Sequence, residues 1–200
     1  MIIMCNITLE PRLGFTLIEL LITVAIIAIL STIAVPSLHS LYESNASSAA
    51  LNQISGLIRL ARSKAIMANT NVTLCPSNDG IECSNQSWEH GVLLFTDKNA
   101  NSEVDDNDQV LRFQTPFIQT GSLRWRSLRN KLQFSAMGFP RGTVGSFVYC
   151  PASRNAHQGG SIIVSFQGRI RQGSDSNGDG IRETGSRVNI KIGRASCRER

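Results

Sequence analysis

The sequence predicts an α+β protein: a long N-terminal helix, membrane-spanning in its first half and amphipathic in its second, packed on a small antiparallel β-rich head. Three observations predict it. Residues 15–35 form an apolar block with Glu19 as its only charge. Apolar residues then return at helical spacing as far as Ala65. After Asn69 the pattern becomes short β-type runs separated by Gly, Asn, Asp and Pro.

At about 1.5 Å per residue the apolar block makes a helix roughly 30 Å long, one hydrocarbon thickness. A secretory signal peptide has a shorter apolar region with a small-residue cleavage site behind it, so the cut expected here lies before the block. Glu19 is the informative residue. A carboxylate at a helix centre in lipid costs about 2.5–3.5 kcal/mol, and such groups usually have a partner or a function. Its place near the end of the block also allows the simpler reading that it snorkels to the headgroups. Beyond Pro36, the apolar positions Ile54, Leu57, Ile58, Ala61 and Ala65 follow i, i+3, i+4 spacing and carry an amphipathic helix to about Ala68. Arg59, Arg62 and Lys64 are expected on its solvated face, and the polar stretch 44–48 is its weakest point.

The expected strands are 71–74, 91–96, 109–113, 132–135, 146–149 and 161–166. No internal repeat or long linker interrupts them. The net charge of +5 overstates the basic character, because the last nine residues, 192–200, resemble the translation of a common sequencing-library adapter. That tail carries three Arg and one Glu, and residues 1–14 carry one of each sign, so about +3 remains for the rest. Such an excess does not by itself argue for nucleic acid.

Cys5 precedes the expected cut and Cys197 lies in the adapter-like tail, leaving Cys75, Cys83 and Cys150. Cys75 and Cys83 sit close together in a turn-rich stretch with Pro76, Asn78, Asp79 and Gly80, which suits a short disulfide loop outside the cytoplasm. Cys150 is then unpaired or replaces one of the two; reduced, buried cysteines are the alternative. No second close Cys/His pair completes a zinc site.

The string GFTLIELLITVAIIAILSTIAVPSL, residues 14–38, resembles the class III signal of type IV pilins and type II secretion pseudopilins. The resemblance implies that prepilin peptidase cuts between Gly14 and Phe15, that Phe15 is N-methylated, and that Glu19 becomes the fifth residue of the mature chain. The new amine of one subunit then neutralises Glu19 of a neighbour in the filament core, where an unpaired charge is costly. The organisation expected is a cleaved leader at 1–14, a helix at 15–68 crossing the membrane at about 15–35, a β-rich pilin head at 69–191, and the scar at 192–200. The subunit is expected in the bacterial inner membrane with its head in the periplasm, and then in a filament with other pilin or pseudopilin subunits.

Further marks resemble the FimT/GspH family of minor pilins and pseudopilins: Leu74-Cys75-Pro76-Ser77 with Asp79-Gly80 and Cys83, then Trp88, Gly91, Phe95, Asp97 and Asn99, then Cys150, Arg154 and Gly168-Arg169-Ile170-Arg171. In FimT-type pilins a GRxR motif is associated with binding DNA during natural transformation, and Gly168, Arg169 and Arg171 match it. The chemistry is reasonable. Gly allows a turn, and two arginines spaced by one residue point the same way from an extended backbone, towards phosphates. Binding is then sequence-independent and salt-sensitive. A second basic run, Arg124, Trp125, Arg126, Arg129 and Lys131, places Arg124 and Arg126 on one strand face. These are weaker candidates, with a solvated surface as the competing reading, and Trp125 either stacks on bases or is buried.

Two acidic loops raise calcium: Asp97, Asn99, Asn101, Glu103, Asp105 and Asp108, and then Asp175, Asn177, Asp179, Gly180 and Glu183. The second starts as D-x-N-x-D-G but has Ser186 where an EF-hand places its bidentate Glu, and the first lacks the sharp-turn Gly. Solvated hairpins are the expectation, with no metal and no cofactor. His39, His90 and His157 are scattered and no nucleophile elbow, zinc pair or phosphate loop occurs, so an enzyme is not expected. Three readings remain: a FimT-like minor pilin that captures DNA, a GspH-like pseudopilin with a purely structural role in type II secretion, or an unrelated single-pass membrane protein with a secreted β domain, in which Phe15 is never exposed by processing.

Overall fold

The computed structural model describes residues 16–85, 87–142 and 144–184. The chain forms two compact units, Met1–His39 and Ser40–Arg200. One helix, α1 (Leu17–Met67), runs through the boundary between them, with Pro36 inside it. The expected end at about Ala68 agrees to within one residue, and the helix continues through the polar stretch 44–48.

In the first unit the apolar side chains of α1 are exposed, among them Leu17, Ile22, Ile27 and Ile33. The segment is long and apolar enough to cross a membrane. Three of its hydroxyls are satisfied within the helix. The hydroxyls of Thr23, Ser31 and Thr32 donate to the carbonyls of Leu20, Ile27 and Ile29 at 2.7–2.8 Å. In lipid, where water cannot serve, that internal satisfaction is what makes such residues tolerable.

In the second unit the predicted stripe of α1, Ile54, Leu57, Ile58, Ala61 and Ala65, is buried together with Ala50 and Leu51. Its partners are two four-stranded antiparallel sheets. Sheet one has the order β3-β2-β1-β5, from β1 (Val72–Pro76), β2 (Val92–Thr96), β3 (Val110–Gln114) and β5 (Leu132–Phe134). Sheet two has the order β4-β6-β7-β8, from β4 (Ser122–Arg126), β6 (Gly145–Cys150), β7 (Gly160–Val164) and β8 (Ile170–Gln172). Val72, Leu74, Val92, Leu94 and Phe134 of sheet one and Leu123, Phe147, Tyr149, Ile162 and Val164 of sheet two close one core with α1. Glu43 of α1 is nevertheless buried: its carboxylate accepts from the backbone N–H of Ser153 at 3.0 Å and from the Ser153 hydroxyl.

The six expected strands are present, and β4 and β8 are additional. In β4, Leu123 and Trp125 alternate with polar residues as a strand buried on one face requires. β8 is three residues long with one apolar side chain, too little periodicity to register as a strand.

Sheet one is covered on both sides. Opposite the main core, Cys75, Leu93 and Phe95 pack with Cys83, Val104 and Phe113. Cys75 and Cys83 are joined by a disulfide, with 2.03 Å between sulfurs. Cys150, buried at the end of β6, is disulfide-bonded as well. It is therefore neither unpaired nor a substitute for Cys75 or Cys83. Asp79 shapes the loop between the paired cysteines, accepting from the N–H groups of Ile81 and Glu82 at 2.8 and 3.2 Å. Those bonds, Ile81 first, hold its carboxyl below the usual carboxylate value.

Candidate nucleic-acid interface

The processing residues Gly14 and Phe15 lie outside the described residues, as does the adapter-like tail 192–200. Glu19 is exposed in the first turn of α1, where its N–H donates to Thr16 Oγ1 at 3.3 Å. The basic candidates lie on sheet two.

β7 turns into β8 through residues 165–168. The Gly168 N–H donates to the Ser165 carbonyl at 2.9 Å, and Ser165 N–H donates to the Arg169 carbonyl at 3.0 Å. Gly168 adopts φ +71°, and a methyl group there would come within 2.6 Å of the Gly138 carbonyl oxygen. Only glycine fits, on both counts. The Gly of GRxR is thus the buried hinge of the turn, and Arg169 and Arg171 are the exposed residues it delivers. Between them Ile170 packs against the core and fixes the strand's orientation.

Register decides which face the arginines take. Arg126 pairs with Ser146, Ser146 with Ile163, and Ile163 with Arg171. Residues directly opposite one another in antiparallel strands share a face. Ile162, Val164, Phe147 and Leu123 occupy the core face, so the row Arg126-Ser146-Ile163-Arg171 lies on the other. Arg124, two residues before Arg126, and Arg169, two before Arg171, have the same phase. Three strand steps of about 4.8 Å separate Arg126 from Arg171, roughly 14 Å in all. The two basic segments, distant in sequence, therefore share one face of one sheet. Among the described residues no hydrogen bond or ion pair engages the guanidinium of Arg124, Arg126, Arg169 or Arg171. Arg124 lines a cleft with Glu89, which weakens its local potential. Arg126 is exposed and stands clear of it.

Trp125 points the other way. Its ring lies 4.4 Å from that of Phe147, and its Nε1 donates to the Arg129 carbonyl at 2.8 Å. Base stacking by Trp125 is thereby removed from the site.

Two helix residues join the site that the sequence placed on a solvated face. Arg62 is half-buried, and its Nη1 donates to the Gly168 carbonyl at 3.0 Å, bracing the GRxR turn. Arg59 lines a cleft of about 300 Å³ with Ile170, Arg171 and Gln172. The signal for both was their position at the margin of the buried stripe, beside Ile58 and Ala61.

The acidic loops bind themselves. Asp175 accepts from the N–H groups of Gly178 and Gly180, each at 2.7 Å, and the Gly180 bond foremost keeps its carboxyl below the usual value. Glu183 accepts from the Ser176 N–H and hydroxyl. Asp97 is wholly buried, with Oδ2 accepting from Thr73 Oγ1 at 2.7 Å, Gln133 Nε2 at 2.5 Å and the Ser102 N–H at 2.9 Å. It is a structural hub.

The family described as Type II transport protein GspH matches residues 50–168, and the Prokaryotic N-terminal methylation motif matches residues 11–35. The chain belongs to the GspH family. Its members are minor type IV pilins and pseudopilins, structural subunits whose N-terminal motif implies processing by prepilin peptidase and packing with other pilin subunits. Fimbrial protein EcpB of Eikenella corrodens is 29% identical over 152 residues, covering 69% of this chain and 90% of that protein. The type IV minor pilin FimU of Pseudomonas aeruginosa shares the fold in two crystal forms, each with TM-score 0.50 and 20% identity. Both cover 64% of this chain, and 92% and 87% of the FimU chain.

Proposed function

We propose that this GspH-family subunit is a FimT-like minor pilin that assembles into or primes a type IV pilus and binds extracellular DNA for natural transformation. The observation that carries the reading is the exposed arginines on one side of sheet two, Arg126 and Arg171 at the two ends of a row whose middle residues Ser146 and Ile163 are buried, with Arg169 beside Arg171. Guanidiniums that no described residue pairs, held at fixed places on a sheet, suit phosphates, whose recognition needs position and charge but no sequence. The fimbrial relative and the minor-pilin neighbour favour a pilus. In this reading cleavage after Gly14 frees the Phe15 amine, which neutralises Glu19 of an adjacent subunit while the head stands in the periplasm. A second reading, a structural pseudopilin of type II secretion, draws on the family's own description and requires no basic face.

The test is a salt series of duplex binding by the full chain in detergent. Three phosphate contacts give a log–log slope of about −2.7, an affinity loss of about 40-fold for a fourfold rise in salt. Arg169→Ala with Arg171→Ala is expected to reduce the slope by about 1.8. No retardation of the unsubstituted protein at low salt would leave the secretion reading in its place.

A further inference from the structure

Beside the GRxR turn lies a second turn built to the same plan. Residues 135–141 read S-A-M-G-F-P-R and residues 165–171 read S-F-Q-G-R-I-R. In each, the Gly N–H donates to the Ser carbonyl, at 2.7 Å for Gly138 and 2.9 Å for Gly168. The Ser N–H donates to the carbonyl four residues on, Phe139 or Arg169, and the N–H of that residue donates back to the Ser hydroxyl at 3.3 or 3.2 Å. Both glycines have positive φ, +78° and +71°. The turns touch where Gly168 meets the Gly138 carbonyl, and Arg62 lies against both glycines.

This pair of turns presents large apolar side chains to solvent. Phe166 is 76% exposed, Met137 79% and Phe139 48%. Around them, segments 59–67, 135–141 and 165–172 contain Arg59, Arg62, Lys64, Arg141, Arg169 and Arg171 and not one acid. A second copy of such a patch would repel it. The combination fits a polyanion that also carries flat apolar faces. Bases in a duplex are stacked on one another and present only their edges, whereas a single strand offers its faces to aromatic side chains.

We infer that the paired turns are a stacking platform for single-stranded DNA, with Phe166 and Phe139 receiving bases while Arg169 and Arg171 hold the adjoining phosphates. The inference rests on the DNA reading above and adds a strand preference to it. A single strand binds sheet two and the turns together; a duplex engages the basic face alone.

The experiment measures the affinity of the full chain in detergent for oligothymidylate of about 20 nucleotides, longer than a single stacking site needs, and for a duplex of equal length. Phe166→Ala with Phe139→Ala is expected to weaken single-strand binding at least about fivefold while duplex affinity stays within about twofold. Both side chains are exposed, so the fold should tolerate their loss, which the melting temperature checks. Phe166→Leu with Phe139→Leu should behave as the Ala pair, and Phe166→Trp with Phe139→Trp should retain single-strand affinity. Equal weakening of both DNAs, or of neither, overturns the platform, and neither result bears on the separate contacts of the arginines to phosphates. An unchanged affinity together with lost association between subunits would make the patch a pilin–pilin contact and overturns it likewise. If the unsubstituted protein binds neither DNA, the underlying DNA reading fails first.

Discussion

The two sheets of the head are alike in size but differ in strand order and in what their edge strands present. Sheet one is buried on both faces: the core lies on one side, and the Cys75–Cys83 loop and the Asp97 hub lie on the other. Its central strands read as near-continuous apolar runs, V-T-L-C-P and V-L-L-F-T, as strands covered on both faces do. Sheet two is buried against the same core on one face; on the other, Val148 and Cys150 of its middle strand β6 are covered with Ile181, and Arg126 and Arg171 stand exposed on the edge strands β4 and β8. Within one small domain, then, both sheets hold the fold, and the edge strands of sheet two also present charge. Substitutions in sheet one should cost stability and spare DNA binding; those on the outer face of sheet two should do the reverse.

The largest effect is expected at Asp97. Replacing it with Ala removes the acceptor of the buried Thr73 hydroxyl and of the Ser102 N–H, leaves the Gln133 amide only its longer bonds to Thr73 and Ser102, and costs about 3 kcal/mol. For a chain of this size that lowers the melting temperature by about 6–12 °C, with the salt slope of DNA binding unchanged. Next comes the disulfide. Opening the eight-residue separation between Cys75 and Cys83 with Ser at both positions should cost about 2–3 kcal/mol through the freed unfolded chain, read as a lower melting temperature that reductant no longer shifts at this bond. A loss of DNA affinity in either variant at a temperature where the head remains folded would break the division between the sheets. The arginine substitutions fall at the other end, with surface positions expected within about 0.5 kcal/mol of the parent stability.

Much of sheet one was legible in the sequence because its signals are local: apolar runs, turn residues and two cysteines separated by a turn. The buried stripe of α1 was legible for the same reason, since Ile54, Leu57, Ile58, Ala61 and Ala65 recur at helical spacing. Sheet two was harder. β8 owes its existence to pairing with β7, as a three-residue edge strand has little propensity of its own. GRxR stood out by family resemblance and not by periodicity. That Arg126 and Arg171 share a row depends on three successive strand registers, which no short sequence window encodes. Arg62 was misplaced for a similar reason. Helical spacing puts it at the edge of the apolar stripe, and only the arrival of the Gly168 turn gives its guanidinium a partner.

The central claim is that one face of sheet two acts as a single phosphate-binding surface. The direct measurement is the salt dependence of duplex affinity for Arg126→Ala, for Arg171→Ala and for the two combined. The account predicts that each removes about 0.9 from the slope and the pair about 1.8, with melting temperatures unchanged. An Arg126→Ala slope equal to that of the parent would contradict it, confining DNA contact to the GRxR turn.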